Sequence, residues 1–154
     1  MKFPLILAMA ACIAISGCAV NSNPAIPQAV QGLDTASHFT YAVAQNDLLA
    51  QKTLKALQAG GKVSAAEYAK TDAILQNIAR ENDATIAAIR ASDAVPGVGS
   101  GWQADIQSLV ALGKTLTPQD FALSDKSAQA DFSGVVAVLL ATLQAVASTF
   151  GGVQ

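Results

Sequence analysis

The sequence is poor in the residues that build disulfide networks and metal sites. Its 154 residues include two cysteines, one histidine and one tryptophan, and aromatic residues make up 5% of the chain. A small secreted domain held together by disulfides would carry several more cysteines. The single histidine, His38, cannot form a site with several histidine ligands. These shortages exclude a disulfide-stapled fold and a multi-histidine metal centre.

Charge is also scarce, since only 13% of the residues are Asp, Glu, Lys or Arg. The nine basic side chains are scattered without a run, against eleven acidic ones. This balance gives no reason to expect nucleic acid as a partner. Abundant alanine with few aromatics favours closely packed helices, because alanine has the highest helix propensity.

The usual catalytic patterns are missing as well. No serine lies in a GxSxG elbow, and no GxGxxG or GxxxxGK[ST] pattern accompanies a strand. Glu81 and Asp83 are too close in sequence to share a helix face, and Glu67 is better interpreted as a capping residue. We therefore expect no catalytic residue, no metal ligand and no bound cofactor, and we interpret the chain as non-enzymatic.

The first eighteen residues carry the strongest pattern. Lys2 is followed by an uncharged and mainly apolar run, residues 3–17, that ends in small residues. These are the parts of a secretory signal peptide. As a helix the run would extend about 22 Å, short of the ~30 Å hydrocarbon core of a membrane. We predict that residues 1–17 are a signal peptide rather than a transmembrane helix.

The run ends in Ile15, Ser16, Gly17 and Cys18, which resemble the lipobox of bacterial lipoproteins. The resemblance implies cleavage before Cys18, a diacylglyceryl group on its thiol and an N-acyl chain such as palmitate on the new amino terminus. Two or more such chains anchor a protein stably in a membrane. The alternative is an ordinary cleaved signal peptide that happens to precede a cysteine.

The same resemblance bears on location. Gram-negative lipoproteins retained at the inner membrane commonly carry aspartate after the lipidated cysteine, whereas Ala19 follows Cys18 here. This favours the outer membrane over the inner one. Processing would leave 137 residues, which is one domain by length. Cys12 would be removed and Cys18 alkylated, so the mature chain would keep no free thiol.

The mature chain is predicted to be an all-α bundle of three to five helices. Two prolines and several small polar residues indicate that the lipidated N-terminus continues as a tether. The predicted divisions are the tether at 18–27 and the bundle at 28–154, with a helical hairpin at 28–93, a connector at 94–101 and C-terminal helices at 102–150.

The hairpin is predicted from the signals at its turn. A first helix begins between residues 27 and 34 and ends at Ala59, before a glycine pair that readily takes a left-handed conformation. Ser64 and Glu67 then form a capping box that opens the second helix. The apolar face of the first helix is assigned to Leu33, Phe39, Val43, Leu48, Leu49, Leu54 and Leu57, and its other faces to Gln45, Asp47, Gln51, Lys52 and Lys55.

Beyond the connector, Trp102 opens a short helix that is expected to end at Gly113. Thr117 and Pro118 indicate another helix start, and residues 124–131 are interpreted as an exposed turn or a short interruption. Residues 132–154 carry no charge. Phe132, Val136, Leu139, Leu143, Val146 and Phe150 follow the 4-3 spacing of a bundle seam, but the stretch is also long enough to cross a membrane or to join copies of the chain.

These observations favour a lipid-anchored envelope lipoprotein that faces the periplasm and acts through protein contacts rather than catalysis. Its expected partners are the membrane, through Cys18, and an envelope protein, with self-association through the C-terminal helix as an option. One alternative is a phage- or mobile-element-encoded lipoprotein that acts in superinfection exclusion or lysis. Another is a pore-forming lipoprotein whose C-terminal helix enters a bilayer.

Overall fold

The computed structural model describes residues 28–94 and 101–152, and in these ranges the regular elements are all helices. The all-α class and the expected number of helices are confirmed. The elements are α1 (Gln28–Ala59), α2 (Ala65–Ala94), α3 (Gly101–Thr115), a 3-10 helix (Pro118–Phe121) and α4 (Lys126–Phe150).

The four α-helices form a closed bundle in which each helix packs against two neighbours. α1 contacts α2 and α4, and α3 contacts the same two helices from the other side. The ring of Phe39 in α1 lies 6.0 Å from that of Phe150 at the end of α4, and Asn46 donates a hydrogen bond to Thr142. These pairings run in opposite directions along the two helices, as in an up-down-up-down bundle.

The turn after α1 is closed by backbone hydrogen bonds. The amide of Gly61 donates to the carbonyl of Gln58 at 2.9 Å, and that of Lys62 donates to Leu57 at 3.0 Å. This is the Schellman pattern, and it requires Gly61 to adopt a φ of +70°. The predicted glycine stop is confirmed.

The capping box at the start of α2 is also confirmed. The amide of Glu67 donates to Ser64 Oγ at 3.2 Å, while the amide of Ser64 donates to Glu67 Oε2 at 3.1 Å. Both bonds pair amides that an α-helix leaves without partners at its first turn.

The predicted seam of α4 forms the centre of the core. All six of its residues are buried, and Phe132, Leu139, Leu143 and Val146 have no exposed surface. At one end of the bundle Trp102 packs edge-on against Phe150, with ring centroids 6.1 Å apart. We call the end that contains Phe39, Trp102 and Phe150 the aromatic end.

The expected end of α3 at Gly113 is wrong. The helix continues to Thr115, and Gly113 is buried inside it. A Cβ atom on Gly113 would overlap the backbone carbonyl of Leu143 and would lie 3.2 Å from the Cβ of Ala147. This glycine therefore permits close contact between α3 and α4 rather than a helix stop.

The helix start predicted at Thr117 and Pro118 is confirmed, with Thr117 as the N-cap, but the segment that follows differs from the prediction. Only a 3-10 turn forms, Ala122 is extended, and α4 begins at Lys126 rather than after residue 131. Phe121 and Leu123 are both buried in the core. An α-helix would point side chains two positions apart in opposite directions, so the chain must leave the helical path between them.

Candidate functional site

The predicted attachment residues Ile15, Ser16, Gly17 and Cys18, and the tether at residues 18–27, lie outside the described residues. Within the described part of the chain, the most unusual chemistry lies between α1 and α2, where polar side chains are buried in the seam.

The core side of α1 differs from the face assigned from the sequence. Asp47 is only 3% exposed, whereas Leu48 and Leu49 are 44% and 51% exposed. Leu48 and Leu49 were assigned to the apolar face because they are hydrophobic. The buried residues instead follow a strict 4-3 spacing, and this spacing includes Asp47. The buried positions are Ala36, Thr40, Val43, Asp47, Ala50, Leu54 and Leu57.

The facing side of α2 has the same spacing and also contains polar residues. Asn82 is 1% exposed and Thr85 is fully buried. The buried positions of this helix are Thr71, Leu75, Ile78, Asn82, Thr85 and Ile89. The α1–α2 seam therefore carries Asp47 and Asn82 in its middle and buried threonines on either side of them.

Asp47 has one carboxylate oxygen with a partner and one without. Gln51, one turn later on α1, donates to Asp47 Oδ2 at 2.6 Å. Asp47 Oδ1 is buried and accepts no hydrogen bond. Burial disfavours the charged form and, with the nearby carboxylates of Asp72 and Asp83, raises the pKa of Asp47 to about 6 against the weaker opposing effect of Gln51.

Asn82 presents a second unpaired oxygen to the same seam. Its Nδ2 donates to the backbone carbonyl of Thr40 at 3.0 Å, which links α2 to α1. A carbonyl can only accept, so this bond fixes the orientation of the amide. Asn82 Oδ1 is buried and has no partner.

The two unpaired oxygens belong to residues that line one groove between α1 and α2. Its volume is about 190 Å³, and it is lined by Val43, Ala44, Asp47, Leu48, Gln51, Ala79, Asn82 and Asp83. None of the ion pairs among the described residues includes Asp47, Asp72 or Asp83. The groove therefore combines apolar walls with hydrogen-bond acceptors and uncompensated negative charge.

Replacing Asp47 by asparagine should stabilise the folded chain at pH 7.5. A change in pKa from 3.8 to about 6 corresponds to about 3 kcal/mol, and solvent screening in an open groove reduces this to about 1–2 kcal/mol. Because the pKa of Asp47 is higher in the folded state, the contribution of Asp47 to the free energy of unfolding of the wild-type chain falls as pH rises from about 4 to 7. Urea unfolding at both pH values measures the difference, which should nearly vanish at pH 4.

Asp34→Asn is the matched control, because it removes the same charge from an exposed position on the same helix. It should leave the free energy of unfolding within about 0.5 kcal/mol of wild type. A destabilised Asp47→Asn variant at pH 7.5 would contradict the uncompensated burial of this carboxylate.

At the end of the bundle opposite the aromatic end, Glu67 links two elements in addition to capping α2. Its Oε1 accepts from the amide of Ser124 at 2.8 Å and also from the Ser124 hydroxyl. The hydrogen bonds from Ser124 and Ser64 lower the pKa of Glu67 to about 2. This link between α2 and the segment before α4 has no signal in the sequence.

The outer face of α4 is a second distinctive surface. From residue 132 onward its exposed residues are uncharged and mostly small, with Val138 49% exposed, and they include Ser133, Gly134, Ala137, Ala141 and Gln144. By length and hydropathy alone α4 is also long and apolar enough to cross a membrane, and 39% of its most apolar window is buried in the bundle. Core helices of soluble proteins meet the same criterion.

Other candidate sites are weaker. His38 is exposed on α1, and its Nε2 lies 3.7 Å from Asp34 Oδ1. In the ranges that the structure describes, no three His, Cys, Asp or Glu side chains are grouped to hold a metal ion. Comparison of the chain with protein-family models, curated proteins and solved structures finds no match.

Proposed function

We propose that the chain is a lipid-anchored envelope protein that faces the periplasm and acts through protein contacts. The observation that carries this proposal is the sequence of Ile15, Ser16, Gly17 and Cys18 at the end of an uncharged apolar run. The lipid on Cys18 would hold the processed chain at a membrane, with the outer membrane favoured.

The geometry of the bundle suits attachment at its N-terminal end. α1 begins at Gln28, ten residues after Cys18. An extended tether of that length would span at most about 35 Å. The hairpin formed by α1 and α2 would then stand with the aromatic end toward the membrane and the Gly61 turn away from it.

The outer face of α4 is the surface that we assign to a protein contact, including self-association. It is uncharged from residue 132 to residue 150, and depletion of charged residues is typical of interface centres. Its opposite side is used for the bundle core, as the burial of Leu139 and Leu143 indicates. This burial supports an anchored bundle over a membrane-inserting helix.

Replacing Cys18 by alanine should abolish lipid attachment. In a Gram-negative host, wild-type protein is expected almost entirely in the membrane fraction, and the Cys18→Ala variant should become soluble or remain unprocessed. Cys12→Ala is the matched control, because this cysteine lies in the predicted signal peptide and should not affect attachment. Membrane fractionation with immunoblotting measures both outcomes.

A Cys18→Ala protein that is cleaved normally and still fractionates with the outer membrane would overturn lipid attachment. The lipobox resemblance requires that Cys18, and not Cys12, carries the lipid. Loss of membrane attachment in the Cys12→Ala variant would contradict this assignment.

A further inference from the structure

We propose that the chain forms a two-fold symmetric dimer through the side of the bundle where α1 and α4 lie next to each other, with Leu49 of each copy packed on Val138 of the other. We call this side of the bundle the α1–α4 face. The dimer rests on the proposed function, because it makes a second copy of the chain the partner of the outer face of α4.

The α1–α4 face has half-exposed aliphatic side chains at its centre. Asn46 of α1 donates to Thr142 of α4 at 2.9 Å, and this bond marks the line where the two helices meet. Leu49 lies one turn from Asn46 and is 51% exposed. Val138 lies one turn from Thr142 and is 49% exposed. The residues around them on this face are uncharged, and they are Thr35, Ala42, Thr53 and Ala56 in α1 and Gly134, Ala141, Ala145 and Thr149 in α4. Such a composition is typical of the centre of a protein interface.

Leu49 and Val138 lie at the same height in the bundle. Leu49 is three residues after Asn46, and Val138 is four residues before Thr142 on the antiparallel helix. At about 1.5 Å per residue, both are displaced from that hydrogen bond by about 5 Å toward the Gly61 turn. A two-fold axis parallel to the helices keeps each height and places α1 of one copy opposite α4 of the other. Each copy of Leu49 would then meet Val138 of the second copy, so the face is complementary to itself.

Attachment through lipid selects this axis. Two chains that are anchored in one membrane leaflet have the same orientation relative to the membrane, so a symmetric pair must be related by an axis along the membrane normal. With the aromatic end toward the membrane, the normal runs along the helices. An axis across the helices would turn one copy over and move its lipid away from the leaflet.

The face is large enough for a specific dimer. α4 is uncharged over residues 132–150, which is about 27 Å of helix, and two adjacent helices are about 20 Å wide. Contact over this area would cover about 540 Å² of each chain and about 1,100 Å² in total, slightly more than the ~1,000 Å² expected of a biological interface. Charged side chains lie at its edges, since Lys52 is exposed opposite the buried side of α1 and Lys62 pairs with Asp131 at 3.2 Å near the Gly61 turn.

The test measures the mass of the processed full chain by sedimentation equilibrium in density-matched detergent. Wild-type chain at about 50 μM should be a dimer. The Leu49→Lys and Val138→Glu variants should each dissociate, with a dissociation constant at least about tenfold higher, because each homodimer would bury two unpaired charges. Both positions are half-exposed in one chain, so both variants are expected to fold.

Mixing the Leu49→Lys chain with the Val138→Glu chain should restore the dimer. In the mixed pair the introduced lysine of one chain faces the introduced glutamate of the other, and the second contact between Leu49 and Val138 is that of the wild type. Leu48→Lys is the matched control, because Leu48 is 44% exposed and lines the groove between α1 and α2 instead. This variant should remain dimeric.

The dimer is overturned if the wild-type chain is monomeric, if Leu48→Lys dissociates it as strongly as Leu49→Lys does, or if the mixed variants remain monomeric. The intact mass of each sample reports the lipid on Cys18 separately. A lipidated monomer would contradict the dimer and leave attachment standing. A dimer without lipid that the mixed variants restore would support the pairing and contradict attachment.

Discussion

The Gly113→Ala variant should be less stable than the wild-type chain by about 2–3 kcal/mol, which is roughly a 10 °C fall in melting temperature. The added Cβ would overlap the backbone carbonyl of Leu143, and it would also crowd the side chain of Ala147. A carbonyl in the middle of a helix cannot move aside as a flexible side chain can. α3 and α4 would have to separate, with loss of packing along their whole contact.

Gly134→Ala is the matched control for this substitution. Gly134 lies in the middle of α4 and is exposed, and a Cβ there would meet no atom within 4 Å. Alanine should stabilise the helix at that position by about 1 kcal/mol, because glycine has the lower propensity. Urea unfolding followed by fluorescence of Trp102, the single tryptophan, measures both variants. A Gly113→Ala variant as stable as Gly134→Ala would contradict the close α3–α4 contact.

The Leu139→Ala variant should lose about 2–5 kcal/mol of unfolding free energy. Leu139 has no exposed surface and lies in the buried seam of α4. Truncation removes buried apolar atoms and leaves a cavity that the surrounding helices fill only in part. The size of the loss reports how tightly α4 is packed in the bundle, and the same urea experiment measures it.

Val138→Ala is the control for Leu139→Ala, because it truncates the neighbouring residue on the exposed side of α4. Val138 is 49% exposed on the outer face of α4, so its truncation should change stability by no more than about 0.5 kcal/mol. Comparing the stability losses of the two variants distinguishes a helix that packs through one side only from a helix that is surrounded by lipid. Equal losses at positions 138 and 139 would contradict the assignment of α4 as a core helix with a free outer face.

Local signals explain why much of the architecture could be predicted. The glycine stop at Gly61 and the capping box of Ser64 and Glu67 are set by residues close together in the chain. The seam of α4 follows from spacing alone, because an uncharged helix with regular large apolar residues has one packing side. Such features depend little on the position of other helices.

The missed features depend on contacts between distant parts of the chain. Gly113 resembles a helix stop in sequence, and only the position of Leu143 makes it a contact residue. The charge of Asp47 favoured a polar face in the prediction, whereas its place in the 4-3 spacing from Val43 to Ala50 favours the core, where the residue is buried. The regular spacing was a usable signal, but the buried, unpaired oxygen of Asn82 was not visible in the sequence.

Attachment through Cys18 is tested most directly by the intact mass of the full-length gene product purified from membranes of a Gram-negative host. Lipid attachment at Cys18 predicts a chain that lacks residues 1–17 and begins at Cys18, with added mass equal to a diacylglyceryl group and one N-acyl chain. A chain that retains residues 1–17, or one that begins at another residue and carries an unmodified Cys18, would contradict it.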